Sequence, residues 1–115
     1  MSDLTAVTGV LDAWQKGIEQ HRPDDVGALF TEDAIFQGLR PYSVGPAGVA
    51  AYYDSQPMGM TVEYRIREVR RLAEEVLLGW AEADFHFVDG RDPVQVNLTV
   101  VLTGGLISHY HASRR

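Results

Sequence analysis

The chain has 115 residues, 45% of them apolar and 23% charged, which is the size and balance of one globular domain and excludes an intrinsically disordered character. Sixteen acidic against ten basic residues give a net charge of -6, a field that repels phosphate backbones and anionic bilayers and so excludes nucleic acid and membrane surfaces as partners. The absence of cysteine excludes disulfide frameworks, thiolate metal sites and cysteine nucleophiles.

Val7, Val10, Leu11, Trp14 and Ile18 recur at three- and four-residue intervals and predict an amphipathic helix from Leu4, capped by Ser2 or Asp3. His21-Arg22-Pro23 ends it, and Pro23 suits the first turn of a short helix carrying Val26, Leu29 and Phe30. Ala34-Ile35-Phe36 reads as a short strand ending at Gly38. Pro41, Gly45, Pro46 and Gly48 punctuate a loop, and Val49, Tyr52 and Tyr53 fit a third helix. From Met60 the period changes to two. Residues 60–72, 76–88, 94–103 and 106–112 predict four long antiparallel strands joined by short turns at 73–75, 89–93 and 104–105. Helices followed by a meander predict an α+β fold in a single domain over residues 1–115. Met1-Ser2-Asp3-Leu4-Thr5 lacks the basic start of a secretory leader, and no apolar run approaches the ~20 residues that span a bilayer, so a cytoplasmic protein is expected.

Charge chooses the faces of the first strand pair. With Glu74 and Glu75 as the turn, Arg67 lies opposite Glu82, Arg65 opposite Asp84 and Glu63 opposite His86, a complementary ladder on a solvated face. The other face, with Val62, Tyr64, Ile66, Ala81, Ala83, Phe85 and Phe87, belongs to the helices. Small alanines let helices approach a curved sheet, leaving Phe85 and Phe87 to line a cone-shaped gap at its open end.

This order of elements resembles the NTF2-like superfamily over nearly the whole chain. Ala13-Trp14, Leu29-Phe30-Thr31-Glu32-Asp33-Ala34, Phe36-Gln37-Gly38, Tyr52-Tyr53 and Ile107-Ser108-His109-Tyr110-His111-Ala112-Ser113 are similar to its SnoaL-like and SgcJ/EcaC-like branch. The last string also resembles the association domain of calcium/calmodulin-dependent kinase II. The resemblance implies three N-terminal helices on a strongly curved antiparallel sheet, and a homodimer formed through the outer sheet face. It does not choose a reaction, because the superfamily spans ketosteroid isomerases, polyketide cyclases, epoxide hydrolases and plain assembly domains. Aligned on Phe30 to Ala34, the isomerases' oxyanion-binding tyrosine falls on Trp14 and their general-base aspartate near Gly38. Neither residue can do that work, since glycine has no side chain to take a proton.

His109 and His111 stand two apart on the last strand and so point the same way, able to serve as acid and base, to ligate a metal if a third ligand joined them, or to hydrogen-bond loops or line a seam between subunits. Tyr110 points opposite to them: facing inward it is either a donor for a ligand carbonyl or an aromatic packed in the core with its hydroxyl satisfied by a neighbour. On the preceding strand Val94, Val96, Leu98 and Val100 alternate with Gln95, Asn97 and Thr99. Which face of these two strands turns inward is open from sequence. The candidate catalytic set is His109, His111, Tyr110 and Asn97; the candidate ligand-binding set is Trp14, Phe36, Tyr42, Tyr53, Phe85 and Phe87, with no metal and no cofactor. The expected function is cofactor-independent acid/base chemistry, a cyclisation, isomerisation or dehydration, on an apolar planar or polycyclic metabolite. The alternative is a non-catalytic ligand-binding or assembly module.

Overall fold

The computed structural model describes residues 2–115. The Ser2 hydroxyl caps α1 (Asp3–Glu19) by accepting the Thr5 amide at 3.0 Å, one of the donors that a helix start leaves without an internal partner. Val7, Leu11, Trp14 and Ile18 form its buried stripe. The helix stops where His21 takes a φ of +50°, and Pro23, with its ring preset for helical φ, opens α2 (Pro23–Gly27). A second proline opens α3 (Pro46–Asp54), which buries Val49 and Tyr53. No described helix is long and apolar enough to cross a membrane.

Six strands follow or interleave: β1 (Phe30–Gln37), β2 (Tyr42–Val44), β3 (Thr61–Ala73), β4 (Val76–His86), β5 (Val94–Thr103) and β6 (Leu106–Arg114). They form one curved sheet in the order β2-β1-β6-β5-β4-β3. The meander is antiparallel, as its patterning predicts, and β1 joins it parallel to β6. Local patterning misses two details here. β1 begins at Phe30, which the periodicity assigns to the short helix, because the Ile107 amide donates to the Leu29 carbonyl at 2.8 Å and draws the segment onto β6. Tyr42–Val44, read as loop, pairs with the end of β1. In both cases a distant strand supplies the hydrogen bonds that fix the conformation.

Bulges set the register. β3 carries one extra residue at Arg67 and another at Leu72, so Arg65 pairs with Glu82 and Glu63 with Asp84, two residues away from the ladder that a plain turn predicts. Two single insertions cancel in parity, and Val62, Ala81 and Ala83 still face the helices. The expected charge partners meet on the diagonal instead: Arg65 lies 3.4 Å from Asp84, Arg67 3.7 Å from Glu82 and His86 3.1 Å from Glu63. On β6 a single bulge at Ser108 changes the parity, which places Ile107 and Tyr110 together on the inner face. The Ser108 hydroxyl donates to the Val101 carbonyl at 3.2 Å across this bulge.

The core lies between α1 and the inner sheet face. Gly79, Ala81 and Ala83 give β4 a low inner surface, and Leu11 and Trp14 bury within the same core. At the sheet edge α1 also satisfies the backbone of β3, since Gln15 Nε2 donates to the Val62 carbonyl at 2.8 Å and the Val62 amide donates to Glu19 Oε2 at 3.3 Å. A β-carbon at Gly79 would meet Val7 Cγ1 at 2.9 Å and Val100 Cγ2 at 3.2 Å, both from fully packed side chains. Gly79→Ala is therefore expected to destabilise the fold by about 1–3 kcal/mol through overpacking. Urea denaturation measures this, and a loss below about 0.5 kcal/mol would show that the helix can back away from the sheet.

Candidate functional site

Beneath α1 the interior is solid. Trp14 is fully buried, with its ring 6.0 Å from Phe85, 6.2 Å from Tyr110 and 6.5 Å from Tyr64. Space remains at the wide end of the sheet, where a cleft of about 400 Å³ opens to solvent. Its sheet side carries Phe36, Phe85, Val96, Tyr110 and Ala112; Tyr52, Tyr53 and Gln56 close it from α3 and the turn that follows. The β1–β2 loop and Phe87 complete the mouth, together with Arg40, Arg91 and Arg114.

Curvature explains why the cleft forms here. Alternation carries Tyr110 and Ala112 inward on β6, and Ala112 is too small to reach the helical layer. Gly38 stands next to them in space with no side chain, and a β-carbon there would strike the Pro41 ring at 2.9 Å. Phe36 stacks over Tyr110 with centroids 4.7 Å apart and an interplanar angle of 28°, giving the floor a flat aromatic surface.

The polar chemistry of this floor is a chain of three donors. Trp14 Nε1 has a proton to give and no lone pair to offer, and it donates to the Tyr53 hydroxyl at 3.1 Å. The Tyr53 hydroxyl in turn donates to the Tyr110 hydroxyl at 3.5 Å. The Tyr110 proton is then left for the cleft. Burial pushes the Tyr53 hydroxyl well above the ordinary tyrosine range, opposed by the hydrogen bond it accepts from Trp14. Tyr110 is raised too, first by burial and then by its two tyrosine neighbours. Both stay protonated through neutral pH and are donors rather than bases.

The sequence candidates divide between the two faces of the sheet. Phe36, Tyr53, Phe85, Phe87 and Tyr110 border the cleft. Trp14 lies behind it, braced against Tyr53, and Tyr42 points to solvent with 63% of its surface exposed. His109, His111 and Asn97 stand on the outer face, across the sheet from the cleft, with the two imidazole centroids 6.4 Å apart. The bulge at Ser108 decides this phase, and no residue type in the string announces it. Among the described residues, no group of three His, Cys, Asp or Glu side chains could hold a metal ion. Arg40, Arg91 and Arg114 are absent from the sequence candidates; strand parity counted from an inward Tyr110 identifies Arg114 as a cleft residue.

No family model matches the sequence, and no curated protein matches it. Similarity appears in solved structures. A domain of unknown function with a cystatin-like fold from Nostoc punctiforme superposes with a TM-score of 0.86 at 17% identity, covering 98% of this chain and 77% of that one. An NTF-2 like protein from Shewanella oneidensis gives a TM-score of 0.81 at 14% identity, covering 97% and 99%. A protein with a ketosteroid isomerase-like fold from Catenulispora acidiphila, solved in complex with trimethylamine, gives 0.63 at 18% identity, covering 90% and 83%. At these identities the likeness speaks for architecture: the chain has the NTF2-like, ketosteroid isomerase-like fold.

Proposed function

We propose that the cleft binds a planar, largely apolar small molecule and holds it by a hydrogen bond from Tyr110 to a carbonyl or hydroxyl oxygen. The observation that carries this reading is the Trp14–Tyr53–Tyr110 chain, which ends in a neutral donor beside a flat aromatic floor. A protein of this fold from Catenulispora acidiphila was solved in complex with trimethylamine, which agrees with a fold able to take a small guest.

Binding is favoured over turnover by what lines the cleft. Its ionisable side chains are tyrosines and arginines, and no carboxylate or imidazole borders it among the described residues. Acid/base work by His109, His111 or Asn97 would require those groups on the inner face. A second reading keeps an enzymatic role: a buried donor chain also stabilises charge developing on an enolate oxygen, so cofactor-independent isomerisation, cyclisation or dehydration remains chemically served from one side, with Tyr110 as electrophile. The base would then come from the substrate or from water.

The outer face suits a second copy of the chain. Leu78, Val101, His109 and Ile35 form one transverse row across four paired strands, beside Trp80, and no helix covers them. Trp80 and Ile35 are 42% and 40% exposed. We assign this face to a homodimer, with the histidine pair at its seam.

Three measurements check these assignments. Calorimetric titration with 2-acetylnaphthalene should give roughly fivefold weaker binding to Tyr110→Phe than to the parent, the net worth of one hydrogen bond. Naphthalene itself should bind both alike, and an equal loss for both ligands would remove Tyr110 as the carbonyl donor. Deuterium exchange at the ketone's methyl group, followed by NMR, separates the two readings: acceleration by the parent that is lost in Tyr110→Phe favours the enzyme, and no acceleration favours the binder. Sedimentation should show a dimeric parent and a monomeric Trp80→Glu variant; a parent that stays monomeric at high micromolar concentration would refute the interface.

A further inference from the structure

We infer that the guest of the cleft carries a carboxylate at the end opposite its carbonyl, with Arg40 and Arg114 as the partners of that carboxylate. The inference rests on the small-molecule reading of the cleft and specifies the chemical class of the molecule.

Charge distribution points this way. The chain carries -6 overall, yet every charged side chain bordering the cleft is an arginine. Acidic residues pair with the other arginines: Arg65, Arg67 and Arg115 with Glu82, Arg71 with Asp3, Arg70 with Glu68, Arg22 with Asp25. At the mouth, Arg91 is clamped by Asp89 at 2.5 Å and lies 4.5 Å over the Phe87 ring, so it serves as a wall with its charge already matched. Among the described residues, Arg40 and Arg114 have no carboxylate within ion-pair distance. Two unmatched guanidinium groups at one rim, in a protein with an excess of acid, are an incomplete ion-pair set that an anionic guest would complete.

Topology brings the two together from distant parts of the chain. β1 and β6 run parallel, with Gln37 beside His111, and Arg40 and Arg114 each lie three residues beyond that pair at the same end of the sheet. Both border the cleft and the shallow groove that continues past His111 and Ser113. Parity places Arg114 on the same strand face as Tyr110 and Ala112. Four residues of strand separate Tyr110 from Arg114, roughly 13 Å between α-carbons, and the long arginine side chain can lean back over part of that span. A two-ring aromatic body with a carbonyl at one end and a carboxylate at the other fits between a buried neutral donor and an exposed cationic rim.

The test compares two probes of the same shape, 6-acetyl-2-naphthoate and 2,6-diacetylnaphthalene, by calorimetry on the parent and on the Arg40→Gln/Arg114→Gln double variant. Both arginines are exposed, so the variant should fold as the parent does. The expected result is that the parent binds the acid about three- to tenfold more tightly than the diketone at low salt, that added sodium chloride erodes the preference, and that the double variant brings the ratio to about one. Equal binding of the two probes by the parent, a preference for the diketone, or a ratio unchanged in the double variant would overturn the carboxylate assignment while leaving the cleft as a binding site. Binding of neither probe by the parent would defeat the small-molecule reading, and the carboxylate assignment with it.

Discussion

The indole nitrogen of Trp14 is the constraint from which the site follows. A fully buried N–H with no acceptor costs on the order of 1–3 kcal/mol, so a tryptophan at the centre of this core demands an oxygen at one defined place. Tyr53 supplies it from α3, and in doing so ties the first helix to the third across the top of the sheet. The Tyr53 proton must then go somewhere in an interior with little water, and Tyr110 on the last strand receives it. Three segments far apart in the chain are thereby held in one hydrogen-bonded line. Its free end is the hydroxyl at the floor of the cleft. The packing requirement of the core and the chemistry of the site are thus the same interaction seen from two sides.

Strand parity is the second organising factor, and the bulges govern it. Two insertions on β3 leave the buried set unchanged and shift the charge ladder along the strand, so ion pairs form diagonally. One insertion on β6 reassigns every residue beyond it. Without the extra residue at Ser108, His109 and His111 would face the helices and Tyr110 would face outward. A cleft floored by imidazoles would have been suited to general acid/base work. The cleft that forms is floored by an aromatic stack and hydroxyls that burial keeps neutral, so it offers a flat apolar surface and a hydrogen-bond donor rather than a base.

Electrostatics complete the picture by contrast with the whole. The outer face of β3 and β4 neutralises its charges internally, through Arg65, Arg67 and Arg115 against Glu82 and Asp84. Glu82 is held below the usual carboxylate range first by its hydrogen bond from Arg65. At the rim of the cleft Arg91 is matched by Asp89, whereas Arg40 and Arg114 have no carboxylate within ion-pair distance among the described residues.

The amino-acid sequence determined by itself whatever depends on local periodicity: the stripe of α1, the four long strands of the meander, the turns between them, and the helix-facing set of Val62, Ala81 and Ala83. These follow from side chains repeating at 3.6 or 2 residues, a signal carried within each segment. The resemblance of the closing string to NTF2-like proteins extended that reading to the whole architecture. Only tertiary structure decided the rest. Phe30 and Tyr42 became strand because another strand offered them backbone partners, the Ser108 bulge exchanged the inner and outer residues of β6, and Arg40 met Arg114 because β1 runs parallel to a strand some seventy residues later. The reason is physical: period and propensity are short-range quantities, whereas the phase of a strand after a bulge and the meeting of two rims are set by hydrogen bonds between segments that sequence order does not bring together.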